Sequence, residues 1–324
     1  MNTGLRITAF AAALAAAFGL AYGVGGGVGE ISLETGSAAH DGHASAPPGG
    51  DGGTGGGPAA PGGLQVSERG YTLDLKTPAV TAGRSAELRF AIVRDATGRA
   101  LTSYQEEHTK ELHLIVASRD LTVFRHLHPR RAADGTWSAP VTLPRAGAYR
   151  VFADFTPGGG DGLTLGTDLT ASGRYSPAPL PAPAGTAEVD GYRVSLRGRP
   201  VPGRDSELTL TVTRNGEPVR DLQPYLGAYG HLVALRSGDL GYLHVHPNGE
   251  PGDGATSPGP DISFTTTAPS TGTYRLFLDF KHAGEVHTAA FTVRAGRPAR
   301  RPDASSPPSP HPSEEPGKHS GHGH

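Results

Sequence analysis

Hydrophobic residues along the chain fall in short, partly alternating runs bounded by Gly, Pro, Asp or Thr, and neither region that carries them sustains a helical period. In the first region, about residues 64–172, the runs are GYTLDLKTP (70–78), AELRFAIVRD (86–95), ELHLIVASRD (111–120), TWSAPVTLP (136–144) and AYRVFADFTP (148–157). The second, about residues 186–295, repeats the order with GYRVSLRG (191–198), SELTLTVTRNGEPV (206–219), GHLVALRSGD (230–239), DISFTTTAP (261–269), TYRLFLDF (273–280) and VHTAAFTV (286–293). Asn215-Gly216 in the second region predicts a hairpin turn, since Asn-Gly supplies the positive φ values that a tight turn needs. Five or more short strands per region predict an all-β fold of two tandem domains, each an immunoglobulin-like β-sandwich or a small barrel.

The regions are diverged copies of one unit. Pro144 to Phe155 and Pro269 to Phe280 share the pattern P-x-x-G-x-Y-R-x-F-x-D-F throughout. Its Gly-x-Tyr, entering a late strand, predicts a tyrosine corner at Tyr149 and at Tyr274, in which the phenol closes a turn onto backbone.

The flanks differ in kind. Residues 1–29 carry Arg6 as their only charge before a long uncharged run of about bilayer-spanning length. They predict a hydrophobic helix that exports the chain, either as a retained membrane anchor or as a signal peptide cleaved near Ala21-Tyr22-Gly23. Under both readings the rest of the chain is extracytoplasmic, and the membrane is touched through this segment alone. Residues 30–63 form a Gly/Pro-rich spacer and 296–324 a tail, both too poor in large apolar residues to fold; residues 173–185 are a stiff, proline-rich linker. His40 and His43 in the spacer are solvated or a loose chelating pair, and His311, His319, His322 and His324 in the tail could scavenge metal weakly.

Composition narrows the chemistry. The chain has no cysteine, which removes disulfides, thiolate sites, Cys nucleophiles and blue-copper centres, and its single methionine, Met1, removes thioether coordination. Net charge is −2 and no basic face is interleaved with aromatics, so nucleic acid is not an expected partner. No G-x-S-x-G, H-E-x-x-H or phosphate loop is present, and the chain is read as a non-enzyme.

The remaining chemistry is imidazole. His113 to Pro129 (HLIVASRDLTVFRHLHP) and His231 to Pro247 (HLVALRSGDLGYLHVHP) each contain a histidine, twelve intervening residues, then His-x-His-Pro, with most intervening side chains changed. Residues i and i+2 of a strand share a face, so His126 and His128 project together, as do His244 and His246. Pro129 and Pro247 place each pair at a strand end or in a loop. A hairpin would carry His113 or His231 to the same end, giving a three-imidazole metal site in each domain, suited to Cu(II) or Zn(II). Asp154 and Asp279 are candidate fourth ligands or orienting carboxylates because each interrupts an apolar strand; the rival is an ion pair with Arg150 or Arg275, two residues earlier. His287 could complete a set in the second domain, and His108 could serve the first. The structural alternative is an imidazole network that ties loops together.

On His113, His126, His128, Asp154, His231, His244, His246 and Asp279, the chain resembles a group of bacterial extracytoplasmic proteins with paired β-sandwich domains linked to heavy-metal handling. More loosely it is similar to periplasmic copper-resistance sandwiches of the C type and to cupredoxins, while lacking a mature N-terminal histidine ligand, a Met-rich loop and a Cys ligand. That resemblance implies copper before zinc, held for buffering or delivery. The alternative function is a cell-envelope interaction module with an envelope protein or polysaccharide as partner. Unperturbed imidazole ligands would release metal as pH falls through about 6.5.

Overall fold

The computed structural model describes residues 61–243 and 245–296. The N-terminal hydrophobic segment, the spacer histidines, the histidine-bearing tail and His244 lie outside the described residues. The described residues form two β-sandwiches in tandem with no helix, and so none long and apolar enough to cross a membrane.

In the first domain one sheet orders Ser67–Glu68, Tyr71–Leu75, Ser85–Arg94, Thr136–Thr142 and Arg130–Arg131. The facing sheet orders Ala79–Thr81, Leu163–Ser172, Gly147–Pro157, Leu112–Ser118 and Phe124–Leu127. The second domain repeats this with Thr186–Val189, Tyr192–Arg197, Asp205–Arg214, Asp261–Thr267 and Val245–Pro247 against Tyr242–Leu243, Gly230–Arg236, Gly272–His282 and Glu285–Ala295. The Asn-Gly turn is present, with φ of 54° at Asn215 and 85° at Gly216, closing Arg214 onto Glu217. Both tyrosine corners are formed: Tyr149 donates to the Arg145 carbonyl at 2.7 Å and Tyr274 to the Ser270 carbonyl at 2.8 Å.

Each sandwich buries its own alternating row. Leu88, Phe90, Ile92, Leu114, Val116 and Trp137 fill the first core; Leu208, Leu210, Leu232, Phe264, Leu278 and Phe280 fill the second. The strand Leu112–Ser118, however, is buried along its whole length. With Leu114 and Val116 facing inward, Ile115 and Ala117 face the other domain, where Val233, Leu235 and Phe277 oppose them in a third apolar cluster. The sandwiches therefore pack sheet against sheet within one compact unit. Phe124 stacks on Phe277 with centroids 4.1 Å apart, and Tyr242 lies 5.7 Å from Phe152. Phe124 and Tyr242 are equivalent positions in the histidine repeat, as Phe152 and Phe277 are in the tyrosine-corner repeat, so the two contacts are the two halves of an approximate twofold.

Residues 61–63, at the end of the sequence-predicted spacer, are wedged into this seam. Tyr242 N–H donates to the Gly62 carbonyl at 2.9 Å, and the buried Arg150 donates to the carbonyls of Gly63 and Leu64 at 2.8 and 2.9 Å. Gly63 has φ of 72° and a Cβ there would strike the Phe152 ring, so glycine is required on both counts.

Candidate metal centre

The outward row that carries Ile115 and Ala117 begins with His113, and its counterpart with Val233 and Leu235 begins with His231. Cross-strand register then sets Asp154 beside His113 and Asp279 beside His231. Burying these polar ends of otherwise apolar rows is tolerable only if they satisfy one another. Face-to-face packing brings them together at one end of the seam, and the paired strand Phe124–Leu127 adds His126, opposite Ile115. His128 follows where the chain crosses toward the other sheet, in a crossing that Pro129 suits because it lacks an N–H to pair.

The result is one histidine cluster built from both domains, where the repeat predicted one site in each. His126 is its centre, with ring centroids 4.8 Å from His128, 4.6 Å from His231 and 5.4 Å from His113. His113 and His231 stack across the seam at 5.3 Å. His108 joins as the sequence allowed, 6.1 Å from His113 and 5.8 Å from His231, and Tyr225 of the second domain lies 6.1 Å from His128.

Proton positions follow from the acceptors. The Glu107 carbonyl can only accept, so His113 Nε2–H donates to it at 3.1 Å and His113 Nδ1 keeps its lone pair. His126 Nε2–H donates to that lone pair at 3.1 Å, and His126 Nδ1–H donates to the Asp279 carboxylate at 2.8 Å. His126 thus bridges the two, one ring nitrogen facing His113 and the other the carboxylate of Asp279. Thr288 Oγ1–H holds the other carboxylate oxygen at 2.5 Å. Burial, then the charge on His126, pushes His113 down to about 4. Burial, followed by His126 and His113, takes His128 down to about 3. His231 is driven well below the usual imidazole range by the same burial and its histidine neighbours. Burial thus holds the His113, His128 and His231 rings neutral below the usual imidazole range. His128 Nε2 and His231 Nδ1 are shut off from solvent and have no hydrogen-bond partner among the described residues.

Other sequence-predicted residues sit elsewhere. Asp154 accepts from Thr164 Oγ1 at 2.7 Å and from Tyr242 of the second domain at 3.3 Å. Neither Asp pairs with its neighbouring arginine in the contacts seen: Arg150 bonds Asp168 and backbone, and Arg275 bonds Thr292. His287 faces the second core beside Phe280, opposite in strand alternation to Asp279, and bonds Asp190 at 2.9 Å; it is not brought to the cluster. His282 is held between Tyr192 at 2.6 Å and Asp221 at 3.0 Å. His246 is exposed on Val245–Pro247, which has crossed to pair with Asp261–Thr267 in the other sheet. The sequence reading missed Tyr225 and the joining of the two repeats.

The family described as Domain of unknown function (DUF8832) matches twice, over residues 65–173 and 187–297. The chain belongs to this family. A comparison with curated proteins finds no match. Among solved structures it is similar to the Escherichia coli adhesin FdeC, at 16% identity over 74% of this chain and 66% of that chain, with a TM-score of 0.22. It is also similar to the Yersinia pseudotuberculosis adhesin InvE (12%, 71% and 60%, TM-score 0.21) and to the D00-D0 domain of Intimin (10%, 69% and 100%, TM-score 0.21). The chain spans less than two thirds of the FdeC and InvE chains. The copper-resistance resemblance finds no counterpart in the family description.

Proposed function

We propose that the chain is an extracytoplasmic, non-catalytic protein that binds a divalent transition metal, copper before zinc, in the seam between its domains, for buffering or delivery. The observation that carries this reading is the pair of solvent-shielded, unpartnered ring nitrogens, His128 Nε2 and His231 Nδ1, one from each domain. A buried nitrogen without a partner is a standing cost of about 1–3 kcal/mol, and a coordinated ion is what removes it. The donor set, imidazoles with one carboxylate and no sulfur, is that of a Cu(II) or Zn(II) site. Enclosure of the cluster between two sheets favours holding an ion over turning over a substrate.

The test is Cu(II) and Zn(II) titration of the full chain with the tail and spacer histidines replaced by alanine, beside the same chain carrying His113→Ala, His128→Ala and His231→Ala. Tight binding lost in the triple variant supports the reading; equal binding by both chains refutes it. A second reading, a cell-envelope interaction module with structural histidines, is favoured by His282 and His287, each already held by a carboxylate of its own domain. Under that reading the triple variant loses stability or partner binding while metal content stays the same.

A further inference from the structure

The cluster contains two ligand triads that share one residue. One nitrogen each from His113, His126 and His128 lie within 4.8 Å of one another, and so do atoms of His126, His231 and Asp279. The shared ring does not offer the same atom to both sides: its Nε2 faces His113 Nδ1 at 3.1 Å, and its Nδ1 faces Asp279 Oδ2 at 2.8 Å. Ligand atoms of one tetrahedral ion with bonds of 2.0–2.1 Å stand about 3.3 Å apart, so both spacings are already close to those of a shared ion. Each triad also contains a histidine with a buried ring nitrogen that has no partner among the described residues, His128 (Nε2) in the first and His231 (Nδ1) in the second.

Resting on the reading of the cluster as a metal centre, we infer that it is a dinuclear site in which His126 bridges two divalent ions, one bound by His113 and His128, the other by His231 and Asp279. The proton balance is closed. The ring of His126 starts with a proton on each nitrogen; each ion forms a metal–nitrogen bond as one N–H bond breaks, and two protons pass to solvent. The bridging ring is then an imidazolate, whose negative charge, with that of Asp279, offsets part of the four positive charges introduced. The two ions stand on the order of 6 Å apart across the ring. The sites are unequal in chemistry: the first is all imidazole from one domain, whereas the second takes His231 and a carboxylate from the other domain, so the bridge links the two sandwiches through the ions.

Stoichiometry and magnetism test this together. The probe is Cu(II) added to the full-length chain in which the histidines at 40, 43, 311, 319, 322 and 324 are alanine. Two coppers per chain are expected, with the electron paramagnetic resonance doublet growing through the first equivalent and falling by at least half through the second, as an imidazolate bridge couples the two spins. His126→Ala should abolish that fall, and His231→Ala should hold one uncoupled copper, since the first triad is intact; should His126→Ala fail to fold, His231→Ala and Asp279→Ala carry the comparison. One uncoupled copper in the parent chain overturns the bridge and leaves the metal centre standing. Two coppers whose doublets simply add, or a coupling that survives His126→Ala, also overturn it. No copper lost on replacing His113, His128 and His231 together overturns the metal reading itself.

Discussion

The bond between His126 and Asp279 joins residues 153 positions apart and ties the first sandwich to the second at the cluster. Asp279 is 2% exposed and the His126 side chain 3%, so water cannot replace either partner. A hydrogen bond to a charged group contributes about 1.5–3 kcal/mol, and removing one member of a buried pair costs about 3–5 kcal/mol because the other is left uncompensated. Asp279→Asn keeps the shape and the bond from Thr288 and removes the charge, so a loss of about 3 kcal/mol is expected in metal-free protein, or roughly 6–12 °C in Tm for a unit of this size. His126→Gln should lose a similar amount, and the double variant little more than either. The coupling energy from that cycle should exceed about 1.5 kcal/mol. Urea unfolding at pH 7.5 with chelator, followed by circular dichroism, measures it, with Arg193→Ala as control: the Arg193–Glu188 pair is 63% and 71% exposed and is worth about 1 kcal/mol or less. A coupling energy below about 0.5 kcal/mol would refute the ion-paired assignment of His126.

Three further outcomes follow from the same geometry. Because His113 falls from 6.5 to about 4 on folding, the unfolded chain binds protons that the folded one refuses; metal-free stability is full above pH 6.5 and declines as pH drops toward 4, by about 2–3 kcal/mol from His113 alone at pH 4.5, and a flat urea midpoint over that range would contradict it. Phe124→Ala removes the ring stacked 4.1 Å from Phe277 and should cost about 3–5 kcal/mol while weakening copper binding measured by calorimetry, although no ligand is touched; unchanged affinity would mean that the seam does not position the histidines. Tyr149→Phe and Tyr274→Phe each leave a buried carbonyl of the corner unpaired, with an expected loss of about 1–3 kcal/mol in thermal melts and no change in metal stoichiometry.

The sandwiches were legible because alternation, turn residues and the tyrosine corners are local signals: Asn215-Gly216 and Tyr149 each fix their own neighbourhood. The membership of the cluster was legible in part. His113, His126 and His128 are brought together by a hairpin that sequence spacing can foresee, and His108 by the loop before it. That the two repeats build one site is a matter of docking, which no local pattern encodes. A signal was nevertheless present. LHLIVAS, at Leu112–Ser118, has no exposed row, and a strand apolar on both faces needs a second partner beyond its own sandwich. Asp154 and Asp279 in the outward rows of equally apolar strands pointed to that partner's polar end. His246 lies on Val245–Pro247, which pairs with Asp261–Thr267 in the other sheet, a change of sheet that the spacing alone does not reveal.

The approximate twofold also explains why the cluster is lopsided. The loop before each first histidine repeats, with His108 and Leu226 as equivalents that both adopt positive φ, 50° and 56°. One copy thus offers an imidazole where the other offers an aliphatic side chain, and Glu107, whose carbonyl fixes the His113 tautomer, is matched by Tyr225. Burial, then the charge of Asp279, pushes the Tyr225 phenol up. Duplication supplied two histidine-bearing faces, and docking them made residues from both repeats neighbours. Divergence at 107, 108, 225 and 226 then concentrated imidazole on the first domain's side and left the second to contribute His231 and Asp279. A ligand held there contacts both sandwiches at once, so its binding energy is also docking energy: at a thousand times Kd it stabilises the docked arrangement by about 4 kcal/mol, as much as the Phe124–Phe277 stack.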